Sequence, residues 1–210
     1  MKLTKTFLIV PTLLASLGAA ACGRSDLGRS PSQVVIETLE GASGAEPDKF
    51  GSFVNSDVVT NVKRTVDGKE IQIPTVFNDV GRVKLRLVLR DQGTTGSPAV
   101  ASAVNAVTFT HLRIEYQRTD GLGRPGVDVP YSWDTAMTLT VPAGGDATGA
   151  FEIVKHTSKG EAPLSGLVNS PTIISTIANI TFFGKDLAGN DVVAKGSIAV
   201  FFGNFGDPQQ

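Results

Sequence analysis

The chain has one cysteine, Cys22, in 210 residues. A lone cysteine excludes an intrachain disulfide and a thiolate metal cluster, so packing must hold the fold. There are only two histidines, His111 and His156. Neither sits in an H-E-x-x-H motif or in a paired spacing that suggests zinc. No G-x-S-x-G elbow occurs, so a hydroxyl–histidine–acid triad has no sequence signature. Neither sign of charge dominates, with 19 Lys and Arg against 20 Asp and Glu. That balance lacks the basic footprint of a nucleic-acid binder. No apolar run reaches the roughly 20 residues of a bilayer-spanning helix. Past the first 22 residues no segment sustains a 3.6-residue period. The reading is a non-enzymatic protein, with no cofactor, no metal and no nucleic-acid partner expected.

What the chain does have is turns. Its 23 glycines and 11 prolines break it into short alternating runs, the pattern of an all-β fold. Val34–Leu39 reads as a first strand, and Gly41–Asp48 as a loop. Phe53-Val54 and Val58–Val62 follow. Asp67-Gly68 is a strong hairpin turn leading to Ile71–Ile73. Arg82–Arg90 is the clearest strand, with Val83, Leu85, Leu87 and Leu89 alternating with Arg82, Lys84, Arg86 and Val88. Asp91–Ala103 is a loop. In the strand from Ala106 to Thr119, Leu112, Ile114 and Tyr116 share one face. Val107 and Phe109 fall on the other, which predicts a bulge near Thr110. Gly121–Trp133 is a connection, and strands follow around Met137–Val141 and Phe151–Ile153. Pro163–Val168 is the only helical turn expected. Two long strands, Thr172–Gly184 and Val192–Phe202, are joined by Asp186–Asn190. The predicted architecture is an antiparallel β-sandwich of eight to ten strands.

The Asp186–Asn190 turn, a D-x-A-G-N pattern, resembles the penultimate turn of bacterial extracellular Ig-like modules. Gly189 and Asn190 tolerate the positive φ of a tight turn. The resemblance covers about 30 residues, 172–202, and implies an Ig-like topology without the Cys…Trp…Cys signature of antibody domains.

The first 22 residues read as an export signal. Lys2 and Lys5 precede an apolar stretch from Phe7 to Ala21, interrupted by Pro11, and small residues Ala19-Ala20-Ala21 lead to Cys22. This segment resembles the bacterial lipobox, with Ala19 where that family prefers Leu. The resemblance implies cleavage before Cys22, lipidation of its thiol, and stable membrane anchoring. Gly23 after the cysteine implies an outer-membrane destination in a Gram-negative cell. The alternative is ordinary secretion with Cys22 left as a free thiol. The domains expected are a signal peptide 1–21, with its signal helix cleaved, a flexible tether 22–33 and a β-sandwich 34–210. Without Lys2 and Lys5, 17 basic residues face 20 acidic ones, a net charge of −3.

Two surface features are candidates for ligand binding. Arg82, Lys84, Arg86 and Arg90 form a basic row with a spacing of about 7 Å. It suits an anionic polymer, a headgroup or an acidic partner, or else a solvated face neutralised by Glu115 on the next strand. Arg113 and Arg118 are expected near it. Tyr131 and Trp133, beside Pro130, form an aromatic cluster able to stack on a sugar or to cap the core. Loop acids Asp186 with Asp191, and Asp128 with Asp134, read as turn and capping residues rather than a calcium site. Gly121–Gly126 reads as a surface loop, since no helix follows to face an anion. The turn from Phe201 to Gly206 is expected to cover an open sheet edge. The functional expectation is an envelope binding or structural module with an envelope protein or polysaccharide partner. The alternatives are a carbohydrate- or anionic-polymer-binding module and a hydrolase with an unrecognised site.

Overall fold

Strand β5, Asp79–Leu89, shows how the alternation is used: Val83, Leu85 and Leu87 are buried while Arg82, Lys84 and Arg86 lie on the opposite face. The computed structural model describes residues 30–206. The leader 1–21, Cys22 and the tether up to residue 29 lie outside the described residues. The described chain is all-β. Strand β1 spans Ser32–Ala42 and pairs antiparallel with β5, whose other neighbour is β10, Asp146–Val154. A second sheet runs in the order β2 (Phe53–Asp57), β12 (Asp191–Gly203), β11 (Ile174–Asp186), β8 (Val107–Arg118), β9 (Trp133–Val141). Two small ribbons join neither sheet. One pairs β3 (Thr60–Val66) with β4 (Lys69–Thr75). The other pairs β6 (Gly93–Thr94) with β7 (Ser97–Pro98).

The two large sheets share one apolar core. Val83, Leu85, Phe151 and Ile153 from the first meet Phe109, Ile114, Ala178, Phe182, Ile198 and Phe202 from the second. Phe151 packs edge-on against Phe182, and the buried Tyr116 hydroxyl donates across the layers to the Ile153 carbonyl. Gly196 marks a close approach between layers. A Cβ there would lie 2.7 Å from Ile36 and 3.1 Å from Leu39.

The bulge expected near Thr110 is present: the β8–β9 register shifts between Phe109 and His111. That extra residue switches parity, so Val107 and Phe109 bury with Leu112, Ile114 and Tyr116. It also leaves His111 exposed, off the face that buries Phe109.

Several expectations are corrected. The sheets are not purely antiparallel, because β2 runs parallel to β12. That strand, not the Phe201–Gly206 turn, covers the β12 edge over Ala199–Gly203. The sheet begins at Ser32 rather than Val34, and Ser30 and Ser32 are already buried. Besides the helical turn at Leu164–Leu167, a short helix α1 occupies His156–Lys159. Its first N–H is capped from outside the segment by Asn78 Oδ1, which no local pattern announces.

Candidate functional site

The basic row exists on the outer face of β5, but it is neutralised. Arg82 binds Glu40 at 2.8 Å, Lys84 binds Glu37 at 2.9 Å and Asp146 at 3.5 Å, and Arg86 binds Glu37 at 2.6 Å. Glu37 is the bulged residue of β1, where the register slips between Ile36 and Thr38. The bulge aims its carboxylate at two cations at once. Its hydrogen bond, with Asp146 nearby, holds the Lys84 ammonium above its ordinary range. Glu115 is not the partner: it sits on β8 in the other sheet and pairs with Arg113. For the same reason Arg113 and Arg118 do not extend the row. Arg90 donates to the Ser30 carbonyl. A row so paired presents little positive field.

The aromatic pair is divided. Tyr131 is 58% exposed and lies across Gly126, where a Cβ would come within 2.3 Å of its hydroxyl. Trp133 is half-buried against the core, with Lys155 Nζ 3.9 Å from its ring centroid. One face of the indole is therefore occupied.

The remaining sequence candidates are engaged locally. His111 stacks on Phe183 at 4.6 Å, along a shallow groove of about 290 Å³, with Thr110 Oγ1 3.4 Å from its Nδ1. His156 Nδ1 lies 2.8 Å from Asn78 Oδ1. Neither ring is shown with both a nucleophile and an acid. Asp186 caps its own turn, accepting from the backbone and side chain of Asn190. Burial would raise its carboxyl, but the hydrogen bonds from Asn190 and Ser30 bring it below the usual value. Asp191 pairs with Lys185, and Asp134 with Arg113. Asp128 pairs with Arg124 in the Gly121–Gly126 segment, and that partner holds the Asp128 carboxyl low. No group of three metal-ligating side chains gathers among the described residues.

The structure instead draws attention to the end of the molecule where β5 begins. There β3 and β4 form a two-stranded arm joined to neither large sheet. Asp67 (φ 51°) and Gly68 (φ 76°) make its tip, as a two-residue hairpin with both central residues left-handed demands. The register sets Val62 opposite Ile73, Arg64 opposite Ile71, and Val66 opposite Lys69. One face of the arm thus carries four aliphatic side chains and two cations. The other carries Lys63, Thr65, Glu70 and Gln72. Val66 and Ile71 are each more than 40% exposed. An isolated hairpin is marginal in water, and this one leaves its apolar face largely uncovered.

The base of the arm is held by a buried ionic node. Lys159, from α1, donates to Asp79 Oδ1 and to the Asp57 carbonyl, both at 2.9 Å. The side chains of the pair are 1% and 0% exposed. Gly44 N–H also donates to Asp79 Oδ1. Asp57 accepts from Thr60, the first arm residue, and from the Phe205 backbone. The node therefore ties β2, β3, β5, α1, the loop after β1 and the last turn. Burial pushes the Asp79 carboxyl up despite Lys159, and it raises Asp57 too. Ser56 Oγ and Asp79 Oδ2 are buried without a hydrogen-bond partner.

Asp57, Asp79 and Lys159 are far apart in sequence and carry no motif, so sequence reasoning missed them. The arm had one legible signal, its Asp67-Gly68 turn. No protein-family model, curated protein or solved structure matches this chain.

Proposed function

We propose that this is an exported lipoprotein, anchored through Cys22 after removal of residues 1–21, whose domain is an Ig-like β-sandwich serving as a non-enzymatic binding module of the cell envelope. The observation that carries the reading is polarity. The chain enters the fold at Ser32, opposite Leu89 at one end of β5. The arm springs from the end marked by Asp79. Ten residue steps along β5 separate the two ends by roughly 33 Å. An anchor at the entry end holds the arm away from the membrane, where it meets other envelope components.

The chemistry of the arm favours a protein partner. Val62, Val66, Ile71 and Ile73 supply aliphatic area, and Arg64 and Lys69 flank it with charge. A polysaccharide site calls for exposed aromatic faces. The arm has none, and Trp133 has one face covered by Lys155. An outer-membrane address follows in this reading where the cell has such a membrane, because Gly23 rather than Asp follows the cysteine.

Two experiments test it. Fractionation of cells should place the protein in membranes and release a Cys22→Ala variant. Retention of that variant contradicts the anchor. Capture of envelope proteins should be lost on Ile71→Glu with the fold intact by circular dichroism. Capture unaffected by Ile71→Glu contradicts the arm as the binding element.

A further inference from the structure

The entry end of the molecule carries its own surface. Among the described residues the three most exposed large apolar side chains are Val100 at 85%, Leu187 at 66% and Val104 at 60%. All three belong to loops that surround the point where the chain enters the fold. The carbonyl of Asn105, next to Val104, accepts from the Ser32 hydroxyl at 2.9 Å. Asp186, next to Leu187, pairs in register with Val107, two residues after Asn105. The loop holding Val100 meets the Pro142–Gly145 turn, where a Cβ on Gly144 would lie 3.8 Å from Ala101. That turn in turn accepts from Leu87 N–H near the end of β5.

Charge is scarce on this surface. No Lys, Arg, Asp or Glu occurs from Gln92 to Leu112, nor from Leu187 to Asn190, nor from Pro142 to Gly145. The nearest charges are engaged: Lys185 with Asp191 at 2.7 Å, Arg90 with the Ser30 carbonyl, and Asp91 with Gly93 N–H. The opposite end, with Lys63, Arg64, Asp67, Lys69 and Glu70 on its arm, is charge-rich.

We infer that this end is a membrane-contact surface, in which Val100, Val104 and Leu187 dip into the interfacial layer of the bilayer that holds Cys22. The inference rests on the anchoring reading above. Cys22 and Ser30 are eight residue steps apart, so the chain spans at most about 28 Å between them. The lipid therefore keeps this end within reach of the headgroups. Three aliphatic tips on uncharged loops lack the polar rim of a protein interface. They suit shallow insertion, where uncharged loops avoid the desolvation penalty of buried charge.

The test uses the full chain expressed with its leader and reconstituted in phosphatidylethanolamine–phosphatidylglycerol vesicles. Intact mass first reads the lipid on Cys22. An environment-sensitive nitrobenzoxadiazole probe is then placed on Val100→Cys, Leu187→Cys or Ile71→Cys. The expected result is a blue shift, with quenching by headgroup-labelled lipid, at 100 and 187, and water-like emission at 71. Water-like emission at 100 and 187 on lipid-bearing protein overturns the inference and leaves the anchor standing. A missing lipid mass overturns the anchor, and the inference with it. A blue shift that appears without vesicles and grows with protein concentration assigns the surface to a second copy, which also overturns it.

Discussion

Lys159 is the residue on which the arm end depends. Its ammonium is buried with one carboxylate oxygen and one carbonyl as partners. Removing one member of a buried pair leaves the other charged and uncompensated, at about 3–5 kcal/mol. Lys159→Met should cost that much in urea denaturation. Lys159→Met with Asp79→Leu should recover most of it, because an apolar pair of similar volume carries no stranded charge. The pH dependence follows from the raised Asp79 carboxyl. Just above the ordinary value of 3.8 the unfolded chain has lost a proton that native Asp79 keeps. Native stability from this group therefore falls as pH rises through that window, and is flat above it. Asp79→Asn removes the dependence. The stability difference, wild type minus Asp79→Asn, should decline from pH 3.8 upward; a flat or rising difference contradicts the assignment. None of this was legible beforehand. Asp57, Asp79 and Lys159 meet only through the tertiary fold, and a lysine in a short polar segment reads as solvated.

At the scale of elements, alternation made most strands legible. The parity conflict between Phe109 and Leu112 was enough to place the bulge at Thr110. Its energetic content is simple: deleting Thr110 would turn Val107 and Phe109 out of the core. Losing a buried Phe alone costs about 3–5 kcal/mol. Deletion of Thr110 should therefore cost at least as much as Phe109→Ala in thermal or urea unfolding. What alternation does not encode is which strands pair. The β1 bulge at Glu37 depends on a neighbour 47 residues away, and so the neutralisation of Lys84 and Arg86 was invisible. The parallel β2–β12 pair and the capping of α1 by Asn78 have the same cause. The arm illustrates the limit best. Its turn was plain in Asp67-Gly68, but its independence from both sheets is a tertiary fact. Gly68→Val forces a branched side chain to φ 76°, at roughly 1–2 kcal/mol or more. Hydrogen exchange should speed up across β3 and β4 while the global unfolding midpoint stays put. A matching loss in the midpoint would show the arm to be part of the core's cooperative unit.

On the scale of the whole molecule, the protein has two unlike ends. The chain enters among uncharged loops bearing Val100, Val104 and Leu187. The amphipathic arm stands at the other end, fixed by the Lys159–Asp79 node. The faces between them carry paired charges, such as Arg82 with Glu40 and Arg113 with Asp134, that neither attract nor repel a partner strongly. Site-specific photocrosslinking in intact cells reads this polarity most directly, with a benzophenone side chain placed at Ile71, at Val100 or at Thr138 on β9. This two-ended arrangement predicts a discrete protein adduct from position 71, none from 138, and a lipid adduct from 100. A protein adduct from 100 or 138 with none from 71 would contradict it.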